Sequence, residues 1–210
     1  MNISIFGASG QTGQIIVEKA LSLQHQVTAY VRREDSIVIQ HPNLKVVVGS
    51  LSDSAKVKTA LSGSDVCIST LGGRSLRKRS KEITDGISLI VKHLETQKVK
   101  RFIYLSSFGT GESKNYMPKL LRFIIVDVML KIPIADHNQN EQTIVESDLQ
   151  WTIVRPGGLS NEQYNGNYKY GSEHTIFRGN PKISRSNVAA FILDQLSDKS
   201  LIKKAVWIYE

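Results

Sequence analysis

The chain has 210 residues, 40% of them hydrophobic and 22% charged, enough apolar material for one globular core and too much for a disordered chain. Lys and Arg number 27 against 19 Asp and Glu, a net charge of +8 that suits anionic partners such as nucleotides and phosphates. A single cysteine, Cys67, excludes an internal disulfide and a thiolate zinc site.

The opening Met1-Asn2-Ile3-Ser4 lacks the basic and apolar regions of a signal peptide, and no stretch reaches the ~18 apolar residues of a spanning helix. A cytoplasmic chain without membrane insertion is expected. Short β-branched runs predict strands at Ile3–Phe6, Gln26–Val31, Lys45–Val48, Val66–Ser69, Phe102–Ser106, Thr152–Arg155 and Ala205–Tyr209. Val46-Val47-Val48 predicts burial on both faces. Helical stripes lie between them: Ile16, Ala20 and Leu23; then Ile83, Ile87, Ile90, Val91 and Leu94. The last is Val188, Ala189, Ile192, Leu193 and Leu196, with Ser186 or Asn187 as its cap. Strand and helix in alternation predict an α/β, Rossmann-like doubly wound parallel sheet with helices on both faces. The whole of residues 1–210 reads as one domain, with 157–181 as a lid or substrate lobe within it.

After the first strand comes Gly7-Ala8-Ser9-Gly10-Gln11-Thr12-Gly13. Gly7 suits a sharp turn, Gly10 a close backbone approach to a diphosphate, and Gly13 tight packing of helix on strand. The helix start offers free N–H groups to phosphates, and Ser9, Gln11 and Thr12 add side-chain donors. No Gly-Lys-Ser/Thr follows, so this is not a P-loop. The second strand ends in Arg32 and Arg33, where an NAD site normally has an acid; Glu34 and Asp35 come late for that role. Cations there suit a 2′-phosphate, so NADP(H) is expected over NAD(H).

These segments resemble the atypical short-chain dehydrogenases of the NAD(P)-binding NmrA-like group. The likeness continues through Val47-Val48-Gly49-Ser50-Leu51, Leu71-Gly72-Gly73-Arg74, Tyr104-Leu105-Ser106-Ser107, Trp151 to Pro156, and Ile183-Ser184-Arg185. Within that group it is strongest to the biliverdin and flavin reductase branch, where a His precedes the sixth strand as His137 does. The resemblance implies that Ser50, Leu51 and Asp53 flank the adenine and that Gly72, Gly73 and Arg74 pass the ribose and phosphate. It also implies that Leu71 borders the cofactor, and that Ser106, Ser107, His137, Pro156, Gly157, Gly158 and Leu159 surround the nicotinamide. Two positions depart: Ser50 replaces an Asp common in the group, and Arg155 stands where the biliverdin and flavin reductase branch has an uncharged residue.

None of the seven tyrosines has Lys four residues on, so the dyad of ordinary carbonyl-reducing dehydrogenases is absent. Hydride transfer to a flavin, quinone or tetrapyrrole needs only a flat acceptor stacked on the nicotinamide. Such an acceptor is the expected partner, with flavin a substrate rather than a prosthetic group. Ser107 and His137 are the candidate catalytic residues. His137, Asn140, Glu141 and Ile144 share one helix face that turns inward. The rival reading is a non-catalytic NADP(H)-binding redox sensor; a nucleotide-sugar epimerase fits less well, given the short chain and the missing dyad.

The remaining features are plainer. His25, His41, His93 and His174 show no ligand spacing, so no metal is expected. Cys67 and the apolar run Phe123–Leu130 read as core, with a pocket cover or subunit contact as the alternative for the run. Arg74, Arg77, Lys78, Arg79 and Lys81 read as a solvated loop and helix start, or as attraction for an anionic cofactor led by Arg74. No nucleic-acid-binding signature accompanies them. The oligomeric state is left open.

Overall fold

The computed structural model describes residues 1–73, 75–171 and 182–210. The first half runs β1 (Asn2–Phe6), α1 (Gln11–Ser22), β2 (Gln26–Val31), β3 (Leu44–Val48), α2 (Ser54–Leu61), β4 (Val66–Ser69) and α3 (Lys81–Thr96). The second runs β5 (Arg101–Leu105), α4 (Lys119–Arg122), α5 (Lys131–Val145), β6 (Gln150–Pro156), β7 (Gly158–Ser160), β8 (Lys169–Gly171), β9 (Lys182–Ser184), α6 (Arg185–Asp194) and β10 (Lys204–Tyr209). The main sheet has the order β3-β2-β1-β4-β5-β6-β10-β8. Every neighbouring pair is parallel except β10 with β8.

Alternation along each strand divides the core. Ile3 and Ile5 of β1 join α1 and α6 on one face, while Phe6 joins α2, α3 and α5 on the other. The chain winds outward from β1 to β3, then crosses back to β4. The crevice between β1 and β4, at the carboxyl ends of the strands, is the topological switch point where ligands bind in such sheets.

Four expectations are corrected. Val48 is 38% exposed and only Val47 of the valine run is buried, because β3 is an edge strand. Leu23 falls beyond the end of α1 and is exposed. The cap of α6 is Ser184, whose Oγ accepts from the Asn187 N–H at 3.1 Å; β9 runs straight into the helix and leaves no loop for Ser186 or Asn187 to start it. The run Phe123–Leu130 is not core. It forms π-helix over Phe123–Met129, with Val126 buried and Phe123, Ile124, Val128 and Met129 exposed. Within 157–171, β7 pairs in parallel with β9 and β8 antiparallel with β10; residues 172–181 of the expected lid, His174 included, lie outside the described residues.

Candidate active site

The first strand delivers the chain into a turn that only glycine can make. Gly7 has φ of +81°, and a Cβ there would lie 2.9 Å from the Thr70 backbone carbonyl carbon. A Cβ on Gly13 would fall 2.2 Å from the Gly7 oxygen, so α1 can approach β1 this closely only without a side chain. Helix α1 then starts at Gly10 with no side-chain cap and no acidic residue in its first turn. Its leading N–H groups therefore point outward as a partial positive charge, in a cradle that fits a pyrophosphate. By contrast, α2 is capped by Asp53 and α6 by Ser184.

That helix start opens on a cleft of about 580 Å³. Of the expected cofactor residues, Gly7, Ser9, Gly10, Arg32, Leu51, Leu71 and Gly72 line it. Tyr30 forms its floor: the ring stacks on Phe6 at 4.8 Å and the hydroxyl donates to the Ser50 carbonyl at 2.7 Å. Burial and the charge of Asp53 push the Tyr30 phenol up to about 12, so it stays protonated. Beside it, buried Leu51 offers an apolar wall suited to a purine. Arg32 is exposed on the cleft, whereas Arg33 turns to solvent and pairs with Asp35 at 3.6 Å. Gln11 is exposed, Thr12 buried, and the Ser50 hydroxyl meets Ser52 at 2.8 Å. Arg74 lies outside the described residues, yet Arg79 and Lys81 of the same basic run line the cleft.

Behind Gly72, where no residue of either element lines the cleft itself, β5 and α5 meet. Parallel register sets Tyr104 opposite Ser69, the last residue of β4, three residues before Gly72. The Tyr104 hydroxyl lies 2.8 Å from His137 Nδ1 and accepts a hydrogen bond from Asn140 Nδ2 at 2.9 Å. The other edge of the imidazole faces Gly72, whose missing Cβ would sit 3.8 Å from His137 Nε2. Burial lowers the His137 pKa, against the opposing pull of the Glu141 and Asp136 carboxylates. Burial raises that of Tyr104; the Asn140 hydrogen bond opposes this, and the two carboxylates add to it. Both groups are thus uncharged at neutral pH. Asp136 is buried and fixes the loop before α3. It accepts from Arg79 Nε and, at 2.8 Å, from the Ser80 N–H.

Behind His137 the polar residues saturate one another. Arg155, 3% exposed, donates to Glu141 at 2.7 and 3.0 Å and to Glu112 at 2.7 Å. Ser106 Oγ and Thr110 Oγ1 donate to the same Glu141 carboxylate, at 2.5 and 2.7 Å. Ser106 is therefore turned into this network. Ser107 is half-buried at the end of β5, its hydroxyl donating to the Phe108 carbonyl at 3.3 Å. The Phe108 N–H ties that turn to the Pro156 carbonyl at 2.9 Å. Gly157 follows half-buried, while Gly158 and Leu159 are exposed in β7. Gly73 packs against Ser80 and Asp136. Tyr104, Tyr30 and Asp136 escaped notice as site residues in the sequence. The only signal was the inward polar face of α5, which needs a polar partner on the neighbouring strand.

An uncapped helix start at the switch point, joined to a basic strand tip and an apolar wall, defines a dinucleotide-binding protein of Rossmann type. Residues 7–199 match the NAD(P)H-binding family, and the chain belongs to it. It is 26% identical to the "Uncharacterized sugar epimerase YhfK" of Bacillus subtilis, over 98% of this chain and 92% of that protein. Its fold is shared by a short-chain dehydrogenase/reductase from Veillonella parvula in complex with NADP. That match has a TM-score of 0.82 and 23% identity, and covers 100% of this chain and 94% of the other. The fold is shared too by ChuY of Escherichia coli O157:H7, an anaerobillin reductase, with a TM-score of 0.83 and 22% identity over 100% of this chain and 97% of that one.

Proposed function

We propose that the protein is an NADPH-dependent reductase that passes hydride to a flat conjugated acceptor, a flavin, quinone or tetrapyrrole. The observation that carries this reading is the hydrogen-bonded His137–Tyr104 pair set against Gly72 of the dinucleotide cleft, in a chain without the Tyr/Lys dyad. A bound reduced nicotinamide supplies the hydride. The chain's own residues bind and orient: the α1 amides hold the pyrophosphate, Leu51 the adenine, and Arg32 the 2′-phosphate that favours NADP(H) over NAD(H). His137 and the half-buried Ser107 offer hydrogen bonds where the acceptor ring stacks. That ChuY, which shares this fold, is an anaerobillin reductase agrees with a reductase reading.

The test is loss of NADPH absorbance with FMN, riboflavin, a soluble quinone and biliverdin in turn. Turnover with any of them is expected. Tight NADPH binding with no turnover would replace this reading by that of a redox sensor.

A further inference from the structure

The hydrogen bonds around Tyr104 determine which nitrogen of His137 carries its proton. Tyr104 has one hydrogen to give, and its oxygen already accepts from Asn140 Nδ2 at 2.9 Å. The opposite orientation of that amide would leave both of its buried N–H donors unpartnered, where the present one leaves a single N–H and the oxygen, Asn140 Oδ1, and buried orphan donors are the rarer and costlier case. The Tyr104 hydrogen therefore goes to its other neighbour, His137 Nδ1, at 2.8 Å. An acceptor at Nδ1 leaves a neutral ring its proton on Nε2, the nitrogen that faces Gly72 on the cleft. An imidazolium would put a hydrogen on Nδ1 as well, and the Tyr104 hydroxyl hydrogen would lose its partner. Among the described residues, the charged groups acting on the ring are Asp136 and Glu141 on α5, and these are already engaged, by Arg79 and Ser80 and by Arg155 respectively.

We propose that Tyr104 is a positioning residue: it locks His137 as the neutral Nε2–H tautomer, a fixed hydrogen-bond donor to the acceptor's carbonyl or ring nitrogen. This rests on the reductase reading. His137 keeps its proton throughout; the one that accompanies the hydride comes from water. The donor stabilises charge as it builds on the acceptor, the role of an oxyanion-hole group.

Two-bond proton–nitrogen correlation spectra of the 15N-labelled full chain read the tautomer directly, with the His137 signal assigned by its loss in His137→Gln. The wild type should show Nε2–H at neutral pH, and Tyr104→Phe a mixture of tautomers. With FMN and NADPH, Tyr104→Phe should lower kcat about tenfold, as expected for one lost hydrogen bond at the reacting end, with KM and NADPH affinity within about twofold. His137→Gln, whose amide N–H can replace the donor, should keep more activity than His137→Ala, and kcat should show no step near the ordinary histidine pKa. A wild-type proton on Nδ1, an imidazolium, full kcat in Tyr104→Phe, or Gln no better than Ala would each overturn the proposal. Absence of turnover with every acceptor would instead defeat the reductase reading and the donor role together, while the nitrogen shifts still decide whether Tyr104 sets the tautomer.

Discussion

The two ends of the candidate site, the cleft and the polar cluster behind Gly72, handle polar groups in opposite ways. At the β1–β2 end they are left open: α1 begins without a side-chain cap and Arg32 stands exposed. At the β5–β6 end they are consumed internally. Glu141 accepts from Ser106, Thr110 and Arg155, and Tyr104 is held between Asn140 and His137. A doubly charged diphosphate supplies its own counter-partners, so a site for it is best kept unsatisfied. The conjugated ring of the proposed acceptor carries no charge at its reacting atoms, and a wall to orient it works best if rigid before the ring arrives.

Removing one member of the closed network should have the largest effect. Glu141→Ala strips Arg155 of a buried counter-charge and the Ser106 hydroxyl of its carboxylate acceptor, while Thr110 keeps the Ser107 carbonyl, so stability should fall by about 3–5 kcal/mol in urea unfolding. An unchanged midpoint would mean that this end is as tolerant as the open one. Next is Gly13→Ala. Its new Cβ would fall 2.2 Å from the Gly7 oxygen, and α1 must move. A loss of about 3 kcal/mol is expected, with NADPH affinity falling alongside because the helix amides move too; calorimetry that finds native affinity would separate packing from binding. Smaller still is Arg32→Ala. Stability should stay within about 0.5 kcal/mol, while NADPH binding weakens about tenfold, or about 1.4 kcal/mol, and NADH binding barely changes. Equal weakening of both cofactors would remove Arg32 from the 2′-phosphate.

The same contrast explains what could be read in advance. The open end is built from backbone and consecutive residues: Gly7 to Gly13, then the strand tip at Arg32. Its chemistry therefore survives as a linear pattern, and the seven expected strands fall within two residues of their places. The closed end is assembled across the sheet. Arg155 reaches Glu141 14 residues away and Glu112 43 residues away, and nothing in the spacing of the three announces an ion network. Tyr104 alternates like any core strand residue, and its role exists only once α5 lies over β5. The inward face of His137, Asn140, Glu141 and Ile144 was legible, because helical periodicity is local; its partner was not. The apolar run Phe123–Leu130 misleads for a related reason. Apolarity forecasts burial only where a neighbouring element is present, and here Val126 alone finds full cover.

The smallest effect tests whether the closed network is uniform or has a weak edge. Glu112 sits at its rim, in the short 3-10 helix Gly111–Tyr116, with a half-exposed side chain against 7% for Glu141. Partial burial pushes the Glu112 carboxyl up, but the Arg155 hydrogen bond, its own backbone N–H and the Arg155 charge together hold it below its usual 4.5. A lowered carboxylate pKa stabilises the fold fully above the unfolded value, and that contribution disappears as pH falls through the folded one. The loss should therefore begin below about pH 4.5 and be absent in Glu112→Gln, whose stability near pH 7 should be only slightly lower because solvent screens the pair. Unfolding midpoints of both proteins between about pH 7 and pH 3 measure this. A wild-type acid slope no steeper than that of Glu112→Gln would leave Arg155 satisfied by Glu141 alone, and would confine the rigid wall to the fully buried part of the network.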